Sequence, residues 1–416
     1  MGKSDPVSFE CTCPAKDDGG GTILLFYRYY AAPPELPAEL RPRLTALDEV
    51  AAFHRTLCER LHLKGKIRVA AEGFNVTVGG TNDEIASYVE ECVKHWTFEG
   101  LDLDTREKRD EFFKPGPGGC ACAFESANVR IAAEITPLGV TNYAPRNWDS
   151  VRSLSPAEFH EKCWSDDKKV LIDVRNHYES RIGYFVDPRT GDKAITPEVR
   201  RFSQFPRYVK THMAELDGGA AKSGERRNIM TYCTGGIRCE KGVRWMAEKL
   251  QIRDGDAICT LKGGIAAYLT WMDKEIKEGR KKPSDSLFRG RNYVFDARGS
   301  TGLSNNSGLF PVSTCHVCNE PSDRLSKCRS GRCHLILVVC DDCERTQDPR
   351  CCHNCVELDS EIENSLFGKE AKRKPICKCE LEREERLWRS GLKDRAREEN
   401  ENIEPLGINI KLNIID

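Results

Sequence analysis

The chain has no apolar run of the roughly 18 residues needed for a membrane-spanning helix, and it carries no excess charge of either sign. Lys and Arg number 64 and Asp and Glu 65, so the formal net charge is −1. This balance gives no global attraction to nucleic acid, and any RNA contact must use local patches. The start, MGKSDPVSFE, has no hydrophobic segment and is partly acidic, which predicts neither a secretory signal nor a transit peptide and favours the cytoplasm or nucleus.

Cysteine is abundant, with 21 residues, and eleven of them lie between Cys315 and Cys379. Disulfides are not expected in a chain without a secretory signal, so this density favours metal binding. Four closely spaced pairs could each give two bonds to zinc, which predicts about two structural zinc ions. These candidate ligands are Cys315 and Cys318, Cys328 and Cys333, Cys340 and Cys343, and Cys352 and Cys355.

Sequential and cross-braced arrangements of the four pairs both fit the spacing. Substitute ligands are available, and a metal-free or iron–sulfur module is the alternative to zinc. Two CxC pairs, at Cys377 and Cys379 and at Cys11 and Cys13, lack an obvious partner pair and are not predicted to be ligands. The possible substitutes are Cys351, His316, His334 and His353.

The stretch Cys233–Glu240, CTGGIRCE, has the pattern of a reactive-cysteine turn. Asn228–Tyr232 predicts a short buried strand and Lys241–Leu250 has the apolar spacing of a helix, so Cys233 falls at the strand's carboxyl end. The two glycines let several N–H groups point inward, and the helix start adds partial positive charge. Such a turn lowers the pKa of a thiol, and Arg238 adds a permanent cation.

Two further turns are expected at the same edge of a parallel sheet. Val170–Arg175, VLIDVR, predicts a strand that ends in Asp173 and Arg175, and Leu261–Ile265, LKGGI, precedes an amphipathic segment. Because open α/β sheets place their sites at the carboxyl ends of their strands, these turns are expected near Cys233.

Together these motifs resemble a rhodanese domain over residues 152–278. The resemblance implies that Cys233 is a nucleophile that carries a persulfide or another covalent adduct, with Asp173 and Arg175 organising the loop. The cradle Cys233–Arg238 has six residues, the sulfur-handling length in this fold, whereas related phosphatases use one residue more, so a phosphatase is disfavoured. The implied anion cradle consists of Thr234, Gly235, Gly236, Ile237 and Arg238.

CTGGIRCE occurs together with AEGFNVTVGG at Ala71–Gly80, and this combination is more specific than a rhodanese domain. It resembles the bacterial tRNA uridine hydroxylases, which make 5-hydroxyuridine at the wobble position, and a eukaryotic group of thiosulfate sulfurtransferase-like proteins with a cysteine-rich tail. The similarity covers residues 22–356. Between Glu179 and Phe202 the chain carries DPRTGDKAITPEVRR where a shorter loop is usual, so substrate access on that side is open to question. The resemblance predicts an enzyme that hydroxylates tRNA.

Three functions remain open at this point. In the hydroxylase, the Cys233 thiolate adds to carbon 6 of a splayed-out uridine, although the sequence reveals no flavin, nucleotide or iron site for activating oxygen. In a sulfurtransferase, Cys233 takes the outer sulfur of a donor such as thiosulfate and holds it as a persulfide. The third is a zinc-bearing scaffold, which the retention of Cys233 and Arg238 disfavours. Cys239 could resolve an oxidised Cys233 as a disulfide, but packing under the loop is favoured.

The N-terminal region has the pattern of a βαββαβ unit, and the resemblance gives it a ferredoxin-like, acylphosphatase-like α+β fold that helps to hold tRNA. Its predicted elements are Thr22–Ala31, Leu47–His62, two strands within Lys66–Gly80, Asn82–Lys94 and Ala127–Thr136. Scattered basic residues usually only solvate a surface, yet four are candidate phosphate contacts: Arg28, Lys64, Lys66 and Arg68.

The predicted architecture is a multidomain α/β protein without membrane contact. Residues 1–21 are predicted to be disordered, 22–136 to form the acylphosphatase-like α+β domain, and 137–151 a linker. The rhodanese domain, with its parallel sheet, spans 152–298 and a second linker spans 299–310. A Cys-rich zinc module at 311–360 and a charged tail at 361–416 follow. In the tail, Leu381–Glu399 is expected to be an exposed helix or disorder, and Leu216–Gly224 is expected to be a mobile insert.

Overall fold

The computed structural model describes residues 11–13, 20–165, 169–212, 216, 228–250, 255–304, 310–330, 333, 335–364 and 377–388. Within these ranges, no helix combines the length and the apolar character that crossing a bilayer requires. The predicted mobile insert apart from Leu216, the candidate ligand His334 and residues 365–376 and 389–416 of the tail lie outside the described residues.

The N-terminal region forms a five-stranded sheet in the order β4-β1-β3-β2-β5. Its first four strands pair antiparallel, and β5 pairs parallel with β2. The predicted βαββαβ order is present, with a two-residue strand and a helix inserted before the last strand. The elements are β1 (Thr22–Tyr29), α1 (Leu47–Arg60), β2 (Lys64–Ala70), β3 (Gly73–Gly80), α2 (Asn82–Lys94), α3 (Arg106–Phe113), β4 (Gly116–Pro117) and β5 (Ala127–Ile131).

Strand β1 separates two different environments because successive side chains point to opposite faces of a sheet. Phe26 faces the helices and packs edge-on against Phe113, with ring centroids 4.8 Å apart. Leu25 and Tyr29 lie on the opposite face, where the Tyr29 hydroxyl is 3.4 Å from the carbonyl oxygen of Ile237 in the next domain. One face of the sheet therefore builds the N-terminal core and the other contacts the central domain.

The central region contains a parallel sheet in the order β6-β10-β9-β7, which confirms the predicted parallel-sheet α/β architecture. Apolar residues on both faces of its strands bury the sheet between helices. Its elements are β6 (Arg152–Leu154), α4 (Pro156–Ser165), β7 (Lys169–Asp173), α5 (His177–Ser180), β8 (Gly183–Phe185), α6 (Phe205–Thr211), β9 (Asn228–Tyr232), α7 (Ile237–Leu250), β10 (Ala257–Leu261) and α8 (Gly264–Lys277).

Helix α7 begins four residues before the predicted Lys241. Gly236 has a φ of +98°, so the chain reverses within the glycine pair and enters the helix at Ile237. The cysteine turn is therefore shorter, and the helix start lies closer to Cys233, than the sequence indicated.

The insert at 187–201 is packed against the sheet. Ile195 bridges in parallel to Ile172 at the β7 edge, and its carbonyl accepts the Asp173 amide at 2.8 Å. Val199 is fully buried, and its carbonyl accepts the His177 amide at 2.8 Å. The additional residues thus extend the sheet edge.

The described part of the C-terminal region combines short strands with three helices, and the last of these helices corrects the prediction of an exposed tail. In that helix Arg383 and Leu387 are 6% and 5% exposed, and Leu387 belongs to the core of the central domain. The Arg383 guanidinium binds Glu380 and the Glu198 carbonyl, so this part of the tail is docked. The elements are β11 (Phe288–Gly290), β12 (Asn292–Tyr293), β13 (Ser300–Thr301), β14 (Leu325–Lys327), β15 (Ile336–Val338), α9 (Asp341–Thr346), α10 (His353–Asn364) and α11 (Lys378–Trp388).

A segment predicted to be a linker and another predicted to be disordered also contact the fold where the structure describes them. β13 lies within the predicted linker 299–310 and pairs antiparallel with β12. At the N-terminus, the Sγ atoms of Cys11 and Cys13 lie 3.4 and 3.5 Å from that of Cys120. Residues 299–304 and 11–13 of these segments therefore contact the fold, while residues 1–10, 14–19 and 305–309 lie outside the described part of the chain.

A fully buried lysine joins the N-terminal domain to the central domain. The Lys241 ammonium of α7 lies 2.8 Å from a carboxylate oxygen of Glu72 and 2.5 Å from one of Glu134. Glu72 also accepts the Ile135 amide at 2.8 Å, and Glu134 accepts the Leu138 amide at 3.0 Å. Burial raises the pKa of Glu72 despite this lysine, so the group depends on its partner to stay charged.

We predict that Lys241→Ala lowers the free energy of unfolding by about 3 to 5 kcal/mol, because it leaves buried carboxylates without their cation. Urea denaturation followed by circular dichroism measures the change. Lys262→Ala is the matched control, since Lys262 pairs across the same two domains with Glu111 but both side chains are more than half exposed. In the control variant, the free energy of unfolding should fall by about 1 kcal/mol or less. Equal losses in both variants would contradict the assignment.

Candidate active site and cysteine clusters

Cys233 has no exposed surface and follows directly on strand β9. Its Sγ accepts the Gly236 amide at 3.2 Å, and its carbonyl accepts the Ile265 amide at 2.9 Å. The LKGGI turn packs so closely that a Cβ on Gly264 would lie 2.4 Å from the Cys233 carbonyl oxygen. The two predicted turns do meet, and glycine at 264 makes the contact possible.

The electrostatics of the loop favour a thiolate. Burial by itself raises the pKa of Cys233, but hydrogen bonding from Cys239, the charge of Arg238 and backbone amides outweigh it and lower the pKa to about 6. Burial raises the pKa of Cys239, and its hydrogen bond to Cys233 raises it further. Cys239 is therefore buried against the loop as a thiol and stabilises the charge on Cys233.

Arg238 is neutralised by Glu179, a partner that the sequence analysis missed. Its guanidinium donates to the two Glu179 carboxylate oxygens at 2.6 and 2.7 Å and to the Thr234 hydroxyl at 2.9 Å. Burial raises the pKa of Glu179, but Arg238 outweighs it and the pKa is lowered, so the pair is ionic. Glu179 is three residues after Asn176, a capping-box spacing that could have marked it as ordered but gave no hint of Arg238.

Asp173 and Arg175 form a buried pair at the end of β7. Arg175 donates to the Asp173 carboxylate at 2.7 and 2.9 Å and to the Gly183 carbonyl at 2.6 Å. Its guanidinium also lies 5.8 Å from the ring centroid of Tyr232, the residue before Cys233. These contacts tie β7 to β8 and support the strand beneath the loop.

The N-terminal domain covers the cysteine loop. A Cβ on Gly235 would lie 2.9 Å from Leu25, and one on Gly236 would lie 2.7 Å from the Tyr27 hydroxyl. The ammonium of Lys114, which no local pattern marked, lies 4.5 Å from the centre of the Tyr27 ring. Burial lowers the pKa of Lys114 to about 8, with Glu240 and the Cys233 charge acting in the opposite direction.

Comparison with known sequences identifies the family. Residues 21–135 match a family described as UPF0176 acylphosphatase like domain, and residues 289–356 match one described as Rhodanase C-terminal. The chain is 30% identical over 309 residues to the tRNA uridine(34) hydroxylase of Bacillus cytotoxicus, which covers 74% of this chain and 83% of the relative. The chain belongs to the tRNA uridine(34) hydroxylase family.

Other relatives show similar levels of sequence identity. The tRNA uridine(34) hydroxylase of Staphylococcus haemolyticus is 29% identical over 339 residues, 80% of this chain and 88% of that protein. Rhodanese-like domain-containing protein 6 of Arabidopsis thaliana is 30% identical over 344 residues, and the chain spans about half, 52%, of its length. A solved structure of an As-Sb reductase from Leishmania major covers 36% of this chain and 92% of its own at 18% identity and a TM-score of 0.23, too low to define a shared fold. The predicted rhodanese-family resemblance and acylphosphatase-like domain are confirmed.

Of the four candidate RNA contacts in this family member, one is wrong. Arg28 is 3% exposed, and its guanidinium donates to main-chain carbonyls, including that of Glu99 at 2.8 Å. It therefore stabilises the interior of the domain. Lys64, Lys66 and Arg68 are exposed at alternate positions along β2. Lys66 also donates to the Phe295 carbonyl at 2.8 Å.

The C-terminal cysteines of this tRNA uridine(34) hydroxylase family member have a cross-braced arrangement. The first and third predicted pairs form one cluster and the second and fourth contribute to another, with all sulfurs of a cluster within 4.8 Å of one another. The clusters are Cys315, Cys318, Cys340 and Cys343, and Cys328, Cys333, Cys351 and Cys355. Spacing alone had left this pairing open.

Cys351, which the sequence offered as a substitute, takes the place of Cys352 in the second cluster. Cys352 lies instead in a third cluster that also includes Cys351, so it stays a candidate metal ligand. That cluster includes Cys377 and Cys379, the CxC pair for which the sequence offered no partner. Their sulfurs are 3.3 Å apart and each lies within 3.6 Å of the Cys351 sulfur.

Two histidines considered as substitute ligands have other partners. His316 Nε2 lies 3.0 Å from the carbonyl oxygen of Arg350. His353 Nε2 lies 3.5 Å from a carboxylate oxygen of Glu357. Neither belongs to the three C-terminal clusters, which among the described residues consist of cysteines alone.

We predict that alkylation of Cys233 by iodoacetamide rises with pH to a plateau, with a midpoint near the lowered pKa of about 6, because only the thiolate reacts. Peptide mass spectrometry after timed exposure gives the rate. Cys58 is an internal control, since burial raises the pKa of that thiol to about 11. Cys239→Ala should move the Cys233 midpoint upward by removing the donor. A wild-type midpoint near 9 would contradict the thiolate.

Proposed function

We propose that this protein hydroxylates uridine 34 of tRNA and that Cys233 is its nucleophile. The observation that carries the proposal is the position of a low-pKa thiol beneath a cover formed by the acylphosphatase-like domain. The relatives named tRNA uridine(34) hydroxylase span both domains, which supports a site that needs both. A tRNA substrate also agrees with the predicted cytoplasmic or nuclear location.

The loop suits addition of a thiolate to an electron-poor pyrimidine. The Cys233 sulfur forms a bond to carbon 6 of uridine, and the electron pair of the 5,6 double bond moves onto carbon 5 and oxygen 4. Carbon 5 then takes an oxygen atom from a peroxide-level oxidant, whose second oxygen leaves as water. Loss of the carbon 5 proton and of the thiolate restores the double bond. Lys114, at the same seam, is placed to offset the negative charge on the ring.

Asp173, Arg175 and Arg238 are positioning residues in this proposal. Arg238 is held by Glu179, so its charge lowers the thiol pKa and its side chain fixes Thr234. Asp173 and Arg175 support the strand end. The Gly236 amide donates to the sulfur, and hydrogen bonds from the Arg238 and Cys239 amides help to lower the thiol pKa, so the cradle backbone holds the sulfur in one orientation.

Access requires a movement at the domain seam. Cys233 has no exposed surface, and Leu25 and Tyr27 lie against the two glycines of its loop. A base flipped out of an anticodon loop can reach the sulfur only if these side chains shift. The sheet face that carries Tyr27 continues across β3 to Lys64 and Arg68 on β2, with exposed Arg130 beside Arg68 on β5. This face offers cations to the phosphates next to the target base.

Persulfide transfer is the second candidate function. A six-residue cradle whose Gly236 amide donates to the sulfur also stabilises an anionic Cys233 persulfide. That reaction needs a sulfur donor such as thiosulfate and gives no reason for an RNA-facing domain over the loop. Nucleoside composition therefore separates the two functions.

We predict that cells lacking this protein lose 5-hydroxyuridine-type nucleosides from tRNA, and that wild type restores them. Liquid chromatography with mass spectrometry of digested total tRNA makes the measurement. Cys233→Ser should fail to restore the modification, whereas Cys58→Ala, which alters a buried thiol in the N-terminal core, should restore it. Restoration by Cys233→Ser would reject the nucleophile. An unchanged profile in the deletion, together with wild-type transfer of thiosulfate sulfur, would favour the second function.

We predict that the double variant Lys64→Ala/Arg68→Ala binds tRNA more weakly and has a shallower dependence of log Kd on log salt concentration, by about 1 to 2 units of slope. Fluorescence anisotropy over a salt series measures both. The matched control is Lys94→Ala/Arg106→Ala, which removes two exposed cations from α2 and α3 on the opposite face. The same loss in the control would show that charge alone, and not this face, governs binding.

We further propose that the C-terminal clusters hold structural zinc, with one ion in each of the two four-cysteine sets of the cross-brace. Tetrahedral sets of thiolates are the usual structural ligands of zinc. Arg200 donates to the Cys333 carbonyl at 2.9 Å, so the second cluster also contacts the insert at 187–201. The ions would thereby anchor the module against the central domain.

A further inference from the structure

We infer that the N-terminal domain has its own zinc site, formed by Cys11, Cys13, Cys120 and Cys122. The four sulfurs lie within 4.8 Å of one another although the two CxC pairs are more than 100 residues apart in sequence. This site is separate from the C-terminal clusters and from Cys233. It does not depend on the proposed reaction.

The distances match a tetrahedral thiolate site. Cys11 Sγ lies 3.4 Å from the sulfurs of Cys13 and Cys120, and Cys13 Sγ lies 3.5 Å from that of Cys120. A zinc–sulfur bond of about 2.3 Å gives a sulfur–sulfur edge of about 3.8 Å in a regular tetrahedron. Disulfide sulfurs would be about 2.05 Å apart. The separations therefore fit four ligands around one ion better than a covalent pair.

Backbone packing brings the second CxC pair to this place. A Cβ on Gly79 would lie 2.6 Å from the Cys120 carbonyl oxygen, and one on Gly21 would lie 2.7 Å from the Cys120 Cβ. Glycines on β3 and before β1 thus let the 115–123 loop lie against the sheet. Cys120 is buried while the other three cysteines are partly exposed, so an ion can enter from the surface.

The chemistry of the donor set favours zinc over the hard cations. Four thiolates in a tetrahedron suit zinc or iron, and they exclude the hard cations that prefer oxygen. The separation of two CxC pairs on different segments is typical of a structural site that closes a long loop. Here the loop runs from Cys13 to Cys120 and encloses most of the acylphosphatase-like domain.

The site would fix a loop that begins close to Lys114, the lysine beside the Cys233 loop. Lys114, at the end of α3, lies only six residues before Cys120. At the other end of the loop, the Ala123 carbonyl accepts the Ala297 amide from the central domain at 3.0 Å. An ion at Cys120 and Cys122 therefore holds the segment between these two interdomain contacts.

Zinc content of the full-length protein tests the inference. Inductively coupled plasma mass spectrometry of Cys120→Ser/Cys122→Ser and of Cys11→Ser/Cys13→Ser should find one zinc ion fewer per chain than in wild type. Cys58→Ala, a buried thiol of the same domain outside the cluster, should keep the wild-type count. Cys318→Ser/Cys343→Ser gives the reference for loss of a four-cysteine site. An unchanged count in both N-terminal variants, or iron in place of zinc, would overturn the inference.

A second measurement on the wild-type protein covers the case in which the variants fail to fold. N-ethylmaleimide footprinting should leave Cys11, Cys13 and Cys122 unmodified, although they are partly exposed, until a strong chelator is added. Modification without chelator would overturn the site. Protection that is relieved by reductant and not by chelator would also overturn it, because that result indicates a disulfide.

Discussion

The buried ammonium of Lys241 is the interaction on which the arrangement of the N-terminal and central domains depends. It extends from the helix that follows Cys233 and is enclosed by carboxylates of Glu72 and Glu134 from the acylphosphatase-like domain. A charge buried in this way requires its partners in place, so the pair fixes the domains at close range. Glu72 lies in the AEGFNVTVGG motif and Lys241 directly follows CTGGIRCE, so the contact joins the two sequence signatures of the chain.

With the domains held in this way, several separate interactions together lower the pKa of Cys233. The Gly236 amide and the Cys239 thiol favour the anionic sulfur, while Glu179 offsets most of the charge that Arg238 would otherwise present to a substrate. The loop therefore stabilises the thiolate form of Cys233. The wall opposite it comes from Tyr27 and Lys114, which belong to the other domain.

The cysteine clusters act at the periphery of this arrangement. The cross-braced module contacts the insert at 187–201 through Arg200, and the docked helix α11 packs Leu387 into the core of the central domain. The N-terminal cluster of Cys11, Cys13, Cys120 and Cys122 lies near the other end of the sequence and includes two cysteines from the loop that follows Lys114. With the proposed zinc bound, these clusters would brace segments whose sequences are too polar or too rich in glycine to fold through hydrophobic packing alone.

The sequence by itself determined the parts whose signals are local. The alternation and length of apolar runs located β9 and α2 to the residue, and the two glycine-rich turns correctly indicated that Cys233 lies at the carboxyl edge of a parallel sheet. Tertiary structure alone decided which partners meet. Glu179 with Arg238, Lys114 above the loop, Arg28 turned inward, and Cys351 in place of Cys352 are contacts between distant segments. Periodicity and spacing record which face of an element is buried, but they carry no information about what that face packs against.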